Sequence, residues 1–273
     1  MRRRRRPLAT LAAALLAAAA PALAQGPPPP QRQAGPEDLL PRSVLPGLGP
    51  EGRAARRPVD PADAPWRSVA RVQTELGARC TGVLVGPRSV LTAAHCLAVP
   101  DTGRLVQPRS VHVLLAYDRG RWAARGRAEA ISVGPGFDPA RRRPLGVDWA
   151  LLTLDAPLPA DRALPMLREP LPPGTPLVVG GYQQDRAEAL LADTDCRALG
   201  LVPDPETGVE MLMHDCAGTR GVSGAPVLVR RGEGWAVAGV ASAAARDAAR
   251  GVAVPAWTVG RAPPGPVAAP TPR

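Results

Sequence analysis

The chain has 273 residues, enough for one large domain or two small ones with a real core. Its formal charge is +10 and every basic residue is arginine, yet aromatic residues make up only 3%. Scattered arginines without stacking platforms argue against a nucleic-acid binder, and the absence of Lys and Asn reflects G/C-rich codons rather than function.

Residues 1–24 read as a secretory signal peptide. Arg2 to Arg6 form a positive start, Leu8 to Ala20 an apolar run, and Ala22-Leu23-Ala24 a small-residue cleavage site. Cleavage after Ala24 removes five arginines and no acids, lowering the formal charge from +10 to +5. A secreted or periplasmic protein follows, with no stable membrane insertion once the signal is gone. Residues 25–62 are rich in Pro and Gly without periodicity and read as a disordered leader or propeptide. Residues 261–273 have the same character and read as a disordered tail.

Between them the chain reads as all-β. Short apolar runs recur between Gly, Pro and Asp: "CTGVLV", "SVLTA", "SVHVLLAY", "AEAISV", "WALLTL", "PLVVGGY", "VEMLMH", "APVLV", "WAVAGVAS" and "GVAVPAW". "SVHVLL" alternates as a half-buried strand should. "RAEALLADTD" is ambiguous between helix and strand. About ten short strands at this spacing point to a sandwich or to barrels. The proline-rich stretch at 158–175 reads as a linker between an N-terminal barrel at 63–157 and a C-terminal barrel at 176–260.

Cys80, Cys96, Cys196 and Cys216 are an even set in an exported chain, so two disulfides are expected. Three pairings are possible. The sequential one closes a short loop in each half, worth about 3 kcal/mol apiece in the chain-entropy model. No Cys-x-x-Cys spacing or acidic cluster marks a metal site, and no cofactor is expected.

"GVSGAP" (221–226) sets Ser223 between glycines, on a loop whose backbone N–H groups could face a reacting carbonyl. A nucleophilic serine needs a base and an acid to orient that base. Of the three histidines, His112 lies in a strand opposite its valines and His214 adjoins Asp215 and Cys216; a structural or exposed role is expected for both. His95 ends "LTAAHC", beside a cysteine that could fix its turn. Asp148 heads the buried run "DWALLTL", as an acid shielded from water should.

"LTAAHC", "DWALL" and "GVSGAP", in that order, resemble the active-site motifs of the trypsin/chymotrypsin-like serine endopeptidases, in particular the bacterial branch related to the glutamyl endopeptidases. The resemblance runs from about Trp66 to Trp257. It implies two six-stranded antiparallel β-barrels with the active site between them. Ser223 then matches the nucleophile, His95 the base, Asp148 the acid, and the N–H groups of Gly221 and Ser223 the oxyanion hole. Cys80 and Cys96 match the disulfide beside the histidine. Ser242, Ala243 and Ala244 match the strand edge that pairs with substrate. Ala217 matches the base of the specificity pocket, with Gly218, Ala241, Ala244 and Gly251 around it. These residues are small and uncharged, so cleavage is expected after small or medium apolar residues. A rim arginine (Arg220, Arg246 or Arg250) selecting acidic residues is the counter-reading.

One departure stands out. The digestive enzymes place Asp before the nucleophile to receive the new N-terminal ammonium after cleavage, whereas this chain has Val222, so that switch cannot operate. The reading that follows is an exported serine endopeptidase acting on polypeptides as a monomer. The alternatives are a pseudoprotease serving as a binding module and a basic protein for acidic polymers.

Overall fold

The structure is a computed structural model, and it describes residue 48 and residues 52–100, 102–245 and 248–260. The expected signal peptide and C-terminal tail lie outside these residues. Fifteen strands are formed among the described residues: β1 (Arg56–Pro58), β2 (Val69–Thr74), β3 (Arg79–Gly86), β4 (Ser89–Thr92), β5 (Ala98–Val99), β6 (Arg104–Leu105), β7 (Val111–Leu115), β8 (Ala124–Val133), β9 (Ala150–Leu154), β10 (Pro176–Gly181), β11 (Leu191–Pro203), β12 (Glu210–His214), β13 (Pro226–Arg231), β14 (Gly234–Ala244) and β15 (Gly251–Pro255).

Strands β2-β3-β4-β9-β8-β7 close into one antiparallel barrel. Strands β11-β10-β13-β14-β15-β12 form the second, closed by pairing of β12 with the far half of β11 (Leu201↔Leu212). This is the two-barrel, six-stranded architecture that the motifs imply. Closure leaves no long sheet edge exposed.

Alternation explains the packing. In β7, Val111, Val113 and Leu115 point into the first barrel, while Leu114 points out towards the second. The interior of the first barrel is aliphatic, with Val72, Leu84, Val90 and Leu152 fully or almost fully buried. Leu177, Val227 and Leu212 do the same in the second. A third core lies between the barrels and joins Val69, Val83, Leu91 and Leu114 to Val178, Tyr182, Leu228 and Val254. The Tyr182 hydroxyl donates to the Tyr117 carbonyl at 2.9 Å across it. Arg71 of β2 also reaches over, to Glu188 at 3.0 Å.

Two segments differ from the expectation. The leader is not disordered up to residue 62. Gly52–Ala55 form a helical turn, and β1 pairs antiparallel with β11 through Arg56↔Asp193 and Pro58↔Leu191. Composition hid this, because the strand is an edge, where Pro is tolerated, and its one buried side chain is an arginine held by ion pairing. The ambiguous "RAEALLADTD" resolves into a 3₁₀ turn at Gln184–Arg186 and the start of β11.

Candidate active site

The site is assembled where the two barrels meet. His95 sits in the 3₁₀ turn Ala94–Leu97 that follows β4. The Cys80–Cys96 disulfide ties that turn back to β3. Asp148 follows the turn Leu145–Val147 and precedes β9; it is fully buried. The two meet squarely: Asp148 Oδ1 accepts from the His95 backbone N–H at 2.8 Å, and Oδ2 faces His95 Nδ1 at 2.6 Å. The Ser242 hydroxyl donates to the same Oδ2 at 2.6 Å. With Nδ1–H donating to the carboxylate, Nε2 keeps its lone pair, which is the tautomer a base requires.

The Asp148 turn is itself braced from the second barrel. Asp204 Oδ2 accepts from the Gly146 N–H at 3.0 Å, and its Oδ1 accepts from Glu206 N, Thr207 N and Thr207 Oγ1. Burial opposes charge on Asp204, but these hydrogen bonds together outweigh it and hold its carboxyl below the usual carboxylate range.

The Ser223 loop packs against the His95 turn without clearance. A Cβ on Gly224 would lie 2.2 Å from Thr92 Oγ1, 2.3 Å from the Thr81 carbonyl and 2.8 Å from Ala93 N. Its φ of +77° is also one that side chains disfavour. The Ser223 carbonyl accepts from Thr81 N at 2.9 Å, fixing the loop on β3. Among the described residues the Ser223 hydroxyl makes no hydrogen bond.

The partners of the preceding carbonyls constrain two backbone donors of this loop. The Arg220 carbonyl is taken by Gln184 N at 2.7 Å, and the Val222 carbonyl by Ala225 N at 2.8 Å. Because C=O and N–H point oppositely across a trans peptide, Gly221 N–H and Ser223 N–H are turned away from those partners.

A cleft of about 140 Å³ opens beside Ser223, and Gly218, Ala241, Ser242, Ala243, Ala244 and Gly251 line it. Ala217 does not. It is fully buried and its N–H is held by Asp193 Oδ2 at 2.8 Å. The segment is anchored by Asp193 and by the Cys196–Cys216 disulfide. Past β13, which ends its pairing at Pro226↔Val240, Ser242–Ala244 continue with no strand on that side among the described residues.

Two lining residues were not legible in the sequence. His214, expected to be structural or exposed, is buried and lines the cleft, as does Thr219. The His214 Nδ1 accepts from Cys216 N at 3.2 Å, so its Nε2 carries the proton. That Nε2 and the Thr219 Oγ1 are buried and meet no hydrogen-bond partner among the described residues. Burial pushes the imidazole pKa down to about 4, against a smaller opposing pull from Asp215. The signal for His214 was only that a strand residue faces one side or the other, which periodicity alone cannot assign. Of the rim arginines, Arg220 lines the cleft, Arg250 is exposed, and Arg246 lies outside the described residues.

Cys80, His95 and Cys96 form one close group of potential metal donors, and Cys196, Asp215 and Cys216 another. All four sulfurs are in disulfides, so neither group can offer a thiolate.

Residues 55–259 match the family model described as Trypsin. The chain belongs to the trypsin family. Its fold is that of serine-protease hydrolases, whose substrates are polypeptides. Among solved structures it is similar to a Glu endopeptidase in complex with MPD, at 17% identity over 74% of this chain and 90% of that one, with a TM-score of 0.59. It is also similar to the VesB protease of Vibrio cholerae, at 21% identity over 74% of this chain and 64% of that one, with a TM-score of 0.54. At these identities the likeness concerns the fold. Two disulfides in a trypsin-like domain suit an oxidising, extracytoplasmic setting, and no helix among the described residues is long and apolar enough to cross a membrane.

Proposed function

We propose that the protein is an exported serine endopeptidase in which Ser223 attacks the peptide carbonyl, His95 accepts the serine proton, and Asp148 orients and stabilises the imidazole. The observation that carries the proposal is the buried Asp148 carboxylate, bonded to both the backbone and the ring of His95. It sits beside a serine loop whose Arg220 and Val222 carbonyls are bonded elsewhere, which supports a role for the Gly221 and Ser223 N–H groups as the oxyanion hole. The acyl-enzyme formed on Ser223 would be released by water, with His95 as base again. Substrate would add as a strand along Ser242–Ala244. Export rests on the signal-like start of the sequence and the paired cysteines.

For specificity, the small lining favours a small or medium residue before the cleaved bond. One observation favours a second reading. The His214 Nε2–H and Thr219 Oγ1 at the cleft wall, which meet no partner among the described residues, suit a side chain bearing an acceptor oxygen, such as Gln or Glu, over a purely apolar one. A digest of a proteome-derived peptide library, read by mass spectrometry, decides between them. Cleavage after Ala and Val is expected on the apolar reading and after Gln or Glu on the other. Dominant cleavage after Arg or Lys would refute both. In the same assay, Ser223→Ala or His95→Ala should lower kcat by a factor on the order of 10⁴ or more with a modest change in KM. Retention of wild-type turnover in either purified variant would overturn the assignment.

A further inference from the structure

The nucleophile loop needs an organiser, because an apolar residue stands where an acid could have met a freed amino terminus. Val222 is packed against Gly218 and Gly181 instead, with its methyl carbons 3.0 to 3.3 Å from where their Cβ atoms would stand. What ties the loop down is a set of bonds from the connection between β10 and β11 and from the start of β11. Gln183, fully buried, accepts from Thr219 N through Oε1 at 2.9 Å. Gln184 N takes the Arg220 carbonyl at 2.7 Å and so sets the Gly221 N–H direction. Asp193 Oδ2 takes Ala217 N. Gly221 lies so close to this connection that a Cβ there would come within 2.2 Å of the Tyr182 carbonyl.

That connection is gripped from outside both barrels by Arg56. Its side chain is 2% exposed, although it belongs to the segment ahead of the first barrel. Nη1 donates to the same Gln183 Oε1 at 2.7 Å and to Asp185 Oδ1 at 3.0 Å; Nη2 donates to Asp185 Oδ2 at 2.8 Å. The planar fork thus clamps Gln183 and Asp185 together, on both sides of Gln184. β1 fixes the fork in place by pairing Arg56 with Asp193.

We propose that Arg56 is the positioning residue of the oxyanion loop: an internal cation that orders Gln183–Asp185, and through them Thr219, Arg220 and Gly221, so that the chain is competent without freeing an amino terminus. The inference rests on the serine-endopeptidase reading above. Proteolytic trimming that removes Arg56 would then inactivate the enzyme, whereas trimming upstream of the β1 segment would not.

The test compares the full chain with Arg56→Gln and Arg56→Lys. Measurements are kcat, KM, the rate of labelling by a fluorophosphonate, and thermal unfolding. Loss of one oxyanion donor costs about 100-fold or more. Arg56→Gln should therefore lose about 100-fold in kcat and in labelling rate, with KM within about threefold, while remaining folded. Arg56→Lys, which keeps the cation, should recover part of the loss. Active wild-type enzyme should have an amino terminus upstream of Arg56, as read by mass spectrometry. Should Arg56→Gln fail to fold, Gln183→Met removes the shared acceptor and should show the same drop in kcat. A folded Arg56→Gln protein with kcat within threefold of wild type, or an active enzyme that begins after Arg56, would overturn the inference. So would a normal kcat in Gln183→Met. A wild-type chain that neither hydrolyses peptide nor labels would instead remove the serine-endopeptidase reading itself.

Discussion

At the residue scale, the buried polar atoms of the site dictate what substitutions do. Asp148 is fully buried and takes hydrogen bonds from His95 and Ser242. Ser242→Ala leaves one of its lone pairs unmet, and a lost hydrogen bond to a charged group costs about 2 kcal/mol. Denaturant unfolding should register that loss, together with a lower kcat. His214 gives a pH signature. Its pKa is pushed from 6.5 to about 4 by burial, so the unfolded chain binds the proton more readily. The neutral imidazole therefore costs nothing above pH 6.5, and stability falls as the pH drops from 6.5 to about 4. The full loss is about 3 kcal/mol. In His214→Gln this component should vanish, which urea titrations at pH 7 and pH 4 would reveal. Equal losses in the two proteins would refute it.

At the element scale, the site depends on turns rather than on strands. Gly224 has φ +77° and touches the backbone of β3 and of the His95 turn. Gly224→Ala should push the Ser223 loop away from His95 and lower kcat/KM by about 100-fold or more, with a smaller effect on folding. The Asp204 carboxylate holds the turn that carries Asp148. Asp204→Ala should cost about 3 kcal/mol and reduce kcat, since Gly146 N–H would lose its anchor. Because this carboxyl titrates below its ordinary range, its contribution persists above about pH 4 and disappears as the pH falls through the folded value. At this scale the strands were legible. "SVHVLL" alternates as drawn, and the three motifs lie on the turns beside β4, β9 and β13. The turns' partners were not legible. Asp204 reads as an ordinary turn acid in "PDPETG", and nothing local tells that it binds a glycine 58 positions back. Arg56 was lost in an arginine- and proline-rich leader, because composition reports average polarity and not the one guanidinium that a carboxylate and an amide draw inside. Nor does the sequence around Ala217 tell that its N–H is drawn to Asp193, 24 positions back, and that the residue lies buried off the cleft wall.

At the scale of the whole molecule, the interface core makes the two barrels depend on one another. Leu228 on the second barrel and Leu91 on the first are both fully buried in it. Leu228→Ala should destabilise by about 3 kcal/mol and, because the core is shared, lower the unfolding midpoint of both barrels together. Two separate calorimetric transitions in the variant would show that the interface contributes less than its burial implies. Site and interface are continuous: His95 and Asp148 come from one barrel, while Ser223, Ser242 and the bracing Asp204 come from the other. The central claim is that this junction activates a single serine. The most direct measurement is the intact mass of the full chain after reaction with a fluorophosphonate. A single adduct on Ser223, absent in Ser223→Ala and strongly slowed in His95→Ala, is the predicted result. No adduct on folded wild-type protein, or labelling that persists in Ser223→Ala, would contradict it.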